Sequence, residues 1–247
     1  MRLFTRTDVE RLLDMPSCIA GVESAFRARG EGAQSPSAVL GIRVGPAGFH
    51  AKAAFLELSV PYFAVKVNSN FPENPRAHSL PTIQGVLVLF DATNGEPLAI
   101  MDSMSITTLR TAATSAVAAK YLARADAKTA TFIGCGVQGR AHVAAISCVL
   151  TLERVVLFDI DHQTADALAN ELANSYPFEI SVAADLQGAT RASSIIVTST
   201  PSNDAFLGPD DVTPGAFIAA VGADNEHTHE LHPELLTSVS PEGRMRE

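Results

Sequence analysis

Apolar positions along the chain change period twice. Near the start they recur at helical spacing: Val9, Leu12 and Leu13 share one side of a short helix, and Thr7-Asp8-Val9-Glu10 has the form of a capping box that would open it. A second helix is expected after Pro16, with Ile19, Val22 and Phe26 on one face and Gly30 placed to end it. From Val39 the pattern becomes that of strands. Residues 39–44, 50–56, 62–68, 85–91 and 97–102 form short runs rich in β-formers, separated by Gly, Pro or Asn turns, so this half reads as α+β. The Ala-rich stretch 105–123, with hydroxyl side chains at its start, predicts a helix joining two halves. Beyond it, strands at 129–133, 154–159, 180–183, 194–198 and 216–221 alternate with helices at 138–148 and 162–175. That βαβ rhythm implies a doubly wound parallel sheet of the Rossmann type. The fold class expected is therefore α/β, a Rossmann-type parallel sheet plus an α+β domain, divided at 1–110 and 111–237, with 238–247 reading as a polar tail.

Composition narrows the functional classes. A chain of 247 residues with 47% hydrophobic and 18% charged residues and a mean hydropathy of +0.16 is long enough for one large or two small cores and has no disordered character. Lys and Arg total 18 against 27 for Asp and Glu, a net charge of −9, so the basic footprint that a phosphate backbone demands is missing and nucleic acid is not an expected partner. The N-terminal Met1-Arg2-Leu3-Phe4-Thr5-Arg6 is interrupted by charge before an apolar leader could form, no later run reaches membrane length, and a cytoplasmic location is expected. Cys18, Cys135 and Cys148 show no metal-type pairing and are odd in number, which argues against a disulfide framework.

The sharpest chemical signal is Gly134-Cys135-Gly136-Val137-Gln138-Gly139, which follows one expected strand and opens the next helix. In that setting the first glycine makes the turn, the second admits a pyrophosphate to the backbone N–H groups, and the third lets the helix pack closely on the strand. Asp159 ends the following strand, where a carboxylate can accept hydrogen bonds from both ribose hydroxyls and would repel a 2′-phosphate, so NAD is favoured over NADP. Thr198-Ser199-Thr200-Pro201 and Ala220-Val221-Gly222-Ala223-Asp224 stand at the carboxyl ends of further strands; they either line the nicotinamide side of the cofactor or are ordinary strand-to-loop transitions.

A second group of residues points to an anionic substrate. Arg110 falls near the positive end of the linker helix, where a cation is disfavoured unless an anion compensates. With Arg43 and Lys66 it would hold the carboxylate of an amino or keto acid, although a cation of this kind taken alone reads first as a surface residue. Lys66 lies in the apolar run Phe63-Ala64-Val65-Lys66-Val67, where a depressed pKa makes it a catalytic candidate as well. Lys52 either faces the same ligand or faces solvent. His227, His229, Glu230 and His232 have metal-ligand chemistry, but they precede Pro233 in a polar stretch without a second ligand cluster, and no metal is expected.

These segments together resemble the ornithine cyclodeaminase/mu-crystallin family. The resemblance is carried by Lys66-Val67-Asn68 with Phe71-Pro72-Glu73-Asn74, by Leu80-Pro81-Thr82, Leu89-Phe90-Asp91, Gly95 and Ala99, and above all by Arg110-Thr111-Ala112-Ala113 followed by Gly134 to Gln138. It implies a homodimer in which residues 1–110 form a substrate-binding and dimerisation domain and 111–237 an NAD-binding Rossmann domain. It places the carboxylate-binding cations on Arg43, Lys66 and Arg110 and the general acid/base on Asp224. Cofactor contacts fall on Thr82, Gly134, Gly136, Val137, Gln138, Asp159, Thr200, Val221, Gly222 and Ala223. The implied activity is NAD-dependent conversion of L-ornithine, or a related amino acid, to L-proline and ammonia through hydride transfer and an imine. An amino-acid dehydrogenase or cyclic ketimine reductase would use the same constellation, and a non-catalytic mu-crystallin-like binding protein is the third implication. Two departures stand out. The family's cyclodeaminase holds the substrate's second ammonium with a glutamate, whereas the stretch around Lys52-Ala53-Ala54 offers a lysine. The family also continues with a segment that returns to the first domain, and that segment is expected to be absent here.

Overall fold

A computed structural model describes residues 1–33, 35–223 and 228–237. The chain divides into two compact units, Met1–Arg110 and Thr111–Glu247. Among the described residues no helix is long and apolar enough to cross a membrane.

The first unit is built on a six-stranded sheet. Its strands are β1 (Arg2–Phe4), β2 (Ser37–Val44), β3 (Ala47–Leu56), β4 (Tyr62–Asn70), β5 (Ile83–Asp91) and β6 (Pro97–Asp102), in the order β1-β6-β5-β4-β3-β2. All neighbours are antiparallel except β1 with β6. The helices are α1 (Arg6–Leu12), α2 (Met15–Gly30), the single-turn α3 (Asn74–His78) and the first part of α4 (Met104–Leu122). Because strand side chains alternate, the register sorts this sheet into two faces. Val39, Lys52, Lys66, Leu87 and Met101 form one row across five strands, flanked by a row that carries His50 and Asn68. The opposite face carries Leu40, Ile42, Val44, Phe49, Val67 and Val86, all exposed in the single chain.

Two local readings are corrected here. The capping box lies two residues earlier than Thr7: Thr5 is the N-cap, its hydroxyl accepts the Asp8 N–H at 3.3 Å and the Asp8 carboxylate receives the Thr5 N–H at 3.0 Å. Strand β1 ends at Phe4, so the helix has to start at once, and Leu12 is left exposed while Val9 is buried. Helix α2 begins before Pro16, with Asp14 capping the Ser17 N–H at 2.8 Å; proline costs nothing in a first turn, whose N–H groups have no helical partner.

The second unit holds a parallel sheet of β7 (Thr129–Ile133), β8 (Arg154–Phe158), β9 (Glu179–Val182), β10 (Ile195–Thr198) and β11 (Phe217–Ala220), ordered β11-β10-β7-β8-β9. Helices α5 (Val137–Val149), α6 (His162–Leu172), α7 (Leu186–Thr190) and α8 (Pro233–Thr237) complete it together with the rest of α4. The strands read as apolar runs because both faces are covered: Phe132, Val155, Leu157, Ile195 and Ile196 have no measurable exposure. Chain order reverses between β7 and β10, which makes their carboxyl ends the switch point at which open α/β sheets bind ligands.

Candidate functional site

At the end of β7 the three glycines divide their labour visibly. Gly134 has φ +90°, a conformation open to glycine, and a side chain there would also lie 2.7 Å from the Ser199 carbonyl oxygen. At Gly139 a Cβ would stand 2.0 Å from the carbonyl oxygen of Gly134, so the close packing of α5 on the turn requires glycine. Gly136 differs from both, since a Cβ there would meet nothing within 4 Å. Its freedom from side chains serves no internal packing. Gly136 is also the N-cap of α5, with no side chain capping the first N–H groups, so the helix presents uncovered donors to that open space. Gln138 Oε1 is buried without a partner.

Asp159 follows β8. One carboxylate oxygen accepts the Cys135 N–H at 2.8 Å and the other accepts the Asp161 N–H at 2.9 Å, so the acid shapes the glycine loop. Burial, and secondarily the Asp159 charge, push the Cys135 thiol up to about 12, leaving a packing residue with no nucleophilic character. Ile160, the next residue, is 93% exposed. Behind the loop, His142 of α5 is fully buried, with Nδ1 2.7 Å from the Gln138 carbonyl and Nε2 3.1 Å from Ser115 Oγ of α4. A carbonyl only accepts, so Nδ1 carries the proton and Nε2 accepts from Ser115.

A buried acid organises the ends of β10 and β11, and the polar-stretch reading of residues 227–232 gave no warning of it. Glu230 is fully buried and receives four hydrogen bonds: Thr198 Oγ1 at 2.7 Å and the Gly222 N–H at 2.8 Å on one oxygen, the Thr200 N–H at 2.7 Å and Thr200 Oγ1 at 2.8 Å on the other. Its own carbonyl takes the N–H groups of Phe206 and Leu207. Thr200 and Gly222 are thus fixed by one side chain, and Val221 is fixed through its N–H to the Thr198 carbonyl at 2.8 Å. Ala223 is the last described residue before a gap; Asp224 and His227 lie outside the described residues. A signal for Glu230 did exist, a lone acid between two histidines just before an apolar Leu231, but single-residue burial has no period.

In the first unit, Lys66 Nζ donates to Thr107 Oγ1 of α4 at 3.0 Å. Burial, then the positive charges of Arg110 and Lys52, bring the Lys66 ammonium down to about 8. Arg110 is exposed on the second turn of α4. Arg43 pairs with Gly48 at the far end of β2, four residues from the row that holds Lys66, and therefore roughly 13 Å along the strand direction. Thr82 lies between α3 and β5, its carbonyl taking the Phe71 N–H at 2.7 Å.

The sequence profile of the ornithine cyclodeaminase/mu-crystallin family matches residues 1–241. The chain belongs to this family. It is 33% identical to an alanine dehydrogenase of Archaeoglobus fulgidus over 238 residues, which are 95% of this chain and 70% of that one. Against the ornithine cyclodeaminase of Agrobacterium fabrum it is 33% identical over 176 residues, 70% of this chain and 49% of the relative. The solved structure of an archaeal alanine dehydrogenase dimer with bound NAD superimposes with a TM-score of 0.90 at 31% identity, covering 97% of this chain and 73% of that one. The Δ1-pyrroline-2-carboxylate reductase of Thermococcus litoralis, in complex with NADH and L-proline, gives 0.86 at 33% identity over 96% of this chain and 73% of that one. The family members named here are enzymes: a cyclodeaminase, a dehydrogenase and a reductase.

Proposed function

We propose that this chain is an NAD-dependent oxidoreductase of the C–N bond, interconverting a small α-amino acid and the corresponding imine. The reading rests on the cationic row of the first unit. Lys66 has Lys52 opposite it and Arg110 within electrostatic reach, and no acid on that row or the two beside it stands ready for the second ammonium of a diamine. The dehydrogenase and reductase relatives act on substrates with one carboxylate and one reacting nitrogen; ornithine carries an additional ammonium, which this row would repel.

The second unit fits the cofactor on its own geometry. The open space over Gly136 with the uncapped end of α5 takes the pyrophosphate, Asp159 takes the ribose hydroxyls, and Ile160 offers an apolar surface to a base. Val137 and Gln138 would stand beside the pyrophosphate, and Thr200, Val221, Gly222 and Ala223 are assigned to the nicotinamide side. The bound nicotinamide supplies the hydride acceptor and donor. Lys66 and Arg110 fix the substrate carboxylate and so orient Cα, and their field stabilises charge that develops on the reacting atoms. Asp224 removes the amine proton as the imine forms and returns it in the reverse direction. A second copy of the chain is assigned to the exposed apolar face of Leu40, Ile42, Val44, Phe49, Val67 and Val86, since a sheet face of this kind otherwise invites aggregation.

Incubation with NAD+ and separately L-alanine, L-proline and L-ornithine, followed both by NADH absorbance and by ammonia release, tests the reading. NADH formed in step with substrate oxidised supports it. Ammonia release without NADH accumulation would make the chain a cyclodeaminase, and tight ligand binding without either product would make it a binding protein. In the active case Asp224→Asn abolishes turnover and leaves NADH affinity within a few-fold of wild type.

A further inference from the structure

Lys52 and Lys66 are registered partners on β3 and β4, so their side chains leave the same face of the sheet from adjacent backbone positions. Opposed like charges on neighbouring strands are destabilising, and Lys66 is half-buried, which deepens the penalty. Besides the two lysines the row contains Phe4, Val39, Leu87 and Met101, all apolar. The flanking rows add His50 and Asn68, and Asn68 is engaged by the Ser103 hydroxyl at 2.7 Å, so neither row supplies a negative charge. Arg110 adds a third cation to Lys66 from α4. The half-buried Lys66 ammonium thus has two further positive charges near it, those of Lys52 and Arg110, an arrangement that an anionic ligand would stabilise. Arg43, four residues away along β2, is too far along the strand direction to share that position by backbone placement.

We propose that Lys52 is a substrate-binding residue, the third cation of a carboxylate subsite formed with Lys66 and Arg110, in the place that the family resemblance gives to Arg43. The ligand class is a small α-imino, α-amino or α-keto carboxylate. The proposal deepens the oxidoreductase reading and rests on it for the identity of the ligand, though not for the existence of the anion site. The division of labour follows from chemistry: the guanidinium of Arg110 offers a planar fork, while the two ammonium groups act as point charges that tolerate small ligands of varied shape.

Calorimetric titration of the full chain with pyruvate, which needs no turnover, provides the test. Lys52→Met weakens pyruvate binding by about tenfold or more, Lys52→Arg restores it to within about threefold, and Arg43→Met changes it by less than about threefold. Thermal unfolding of Lys52→Met is no lower than wild type, because the substitution relieves a like-charge pair, and in an active chain KM rises while kcat changes little. Pyruvate affinity of Lys52→Met within threefold of wild type overturns the proposal, as does failure of the wild-type chain to bind any carboxylate. If pyruvate binding depends on Lys52 but no amino or imino acid is turned over, the subsite stands and the oxidoreductase reading falls.

Discussion

Glu230 receives both the backbone N–H and the hydroxyl of Thr200 on one carboxylate oxygen, at 2.7 and 2.8 Å, in a position with no solvent exposure. Its other oxygen ties Thr198 to Gly222. A buried carboxylate is tolerable only when its lone pairs are taken up, and here four donors from two strand ends do so. Glu230→Gln replaces one acceptor oxygen by an NH2 group facing two donors. It should lower unfolding free energy by about 2–4 kcal/mol, read from urea midpoints, and weaken NADH binding as Thr200 and Gly222 move. An unchanged midpoint would show that the four bonds contribute nothing net.

The glycine loop yields a paired prediction. Gly139→Ala places a methyl against the Gly134 carbonyl and must separate α5 from the turn, so it should cost about 1–3 kcal/mol and reduce NADH affinity together. Gly136→Ala meets no protein atom and should fold normally while still losing NADH affinity, because its methyl occupies space meant for the pyrophosphate. Equal NADH titrations for wild type and Gly136→Ala would remove the pyrophosphate from that space.

Asp159 has two jobs that substitution can separate. Asp159→Ser should narrow the preference for NADH over NADPH by relieving repulsion of a 2′-phosphate, yet weaken both cofactors, since the Cys135 N–H loses its acceptor. Asp159→Asn keeps an acceptor for Cys135 and should narrow the preference with less overall loss. Fluorescence titrations with both nucleotides check this, and tighter binding of NADPH than NADH by the wild type would refute the ribose assignment.

Elements with a strong period were legible from sequence: the strand Thr129–Ile133, the strand Pro97–Asp102 and the linker helix agree with the structure to within a residue. The parallel sheet followed from alternation of buried strands with helices, since each βαβ unit leaves the same signature. Strand β1 and helices α3, α7 and α8 were not legible. They are too short to show a period: β1 is held by its pairing with β6, and α7 is capped by the Asp185 carboxylate, which accepts the Gly188 N–H at 2.6 Å. At the site, Gly134, Gly136, Gly139 and Asp159 could be found because turn geometry restricts residue type. The role of Lys52, left open between ligand and solvent, and the burial of Glu230 could not, because cross-strand register and burial of a single acid depend on contacts between distant segments.

Lys66 carries the pH dependence of the first unit. Its ammonium, ordinarily near 10.5, is brought to about 8 by burial first and by Arg110 and Lys52 second. Since the folded state binds the proton less tightly than the unfolded chain, this group's contribution to stability is unfavourable at neutral pH and is relieved as pH rises from about 8 toward 10.5. Ligand binding has the opposite sign. A carboxylate prefers the protonated lysine, so pyruvate affinity should be flat below pH 8 and fall by up to about tenfold per unit above it, with proton uptake on binding. Lys66→Arg keeps the charge across this range and should abolish the transition, while Lys52→Gln should move it upward by removing one of the two neighbouring cations. Calorimetry in buffers of different ionisation enthalpy measures the proton uptake directly. Affinity that stays constant from pH 7 to 10 in the wild type would exclude Lys66 from the carboxylate subsite.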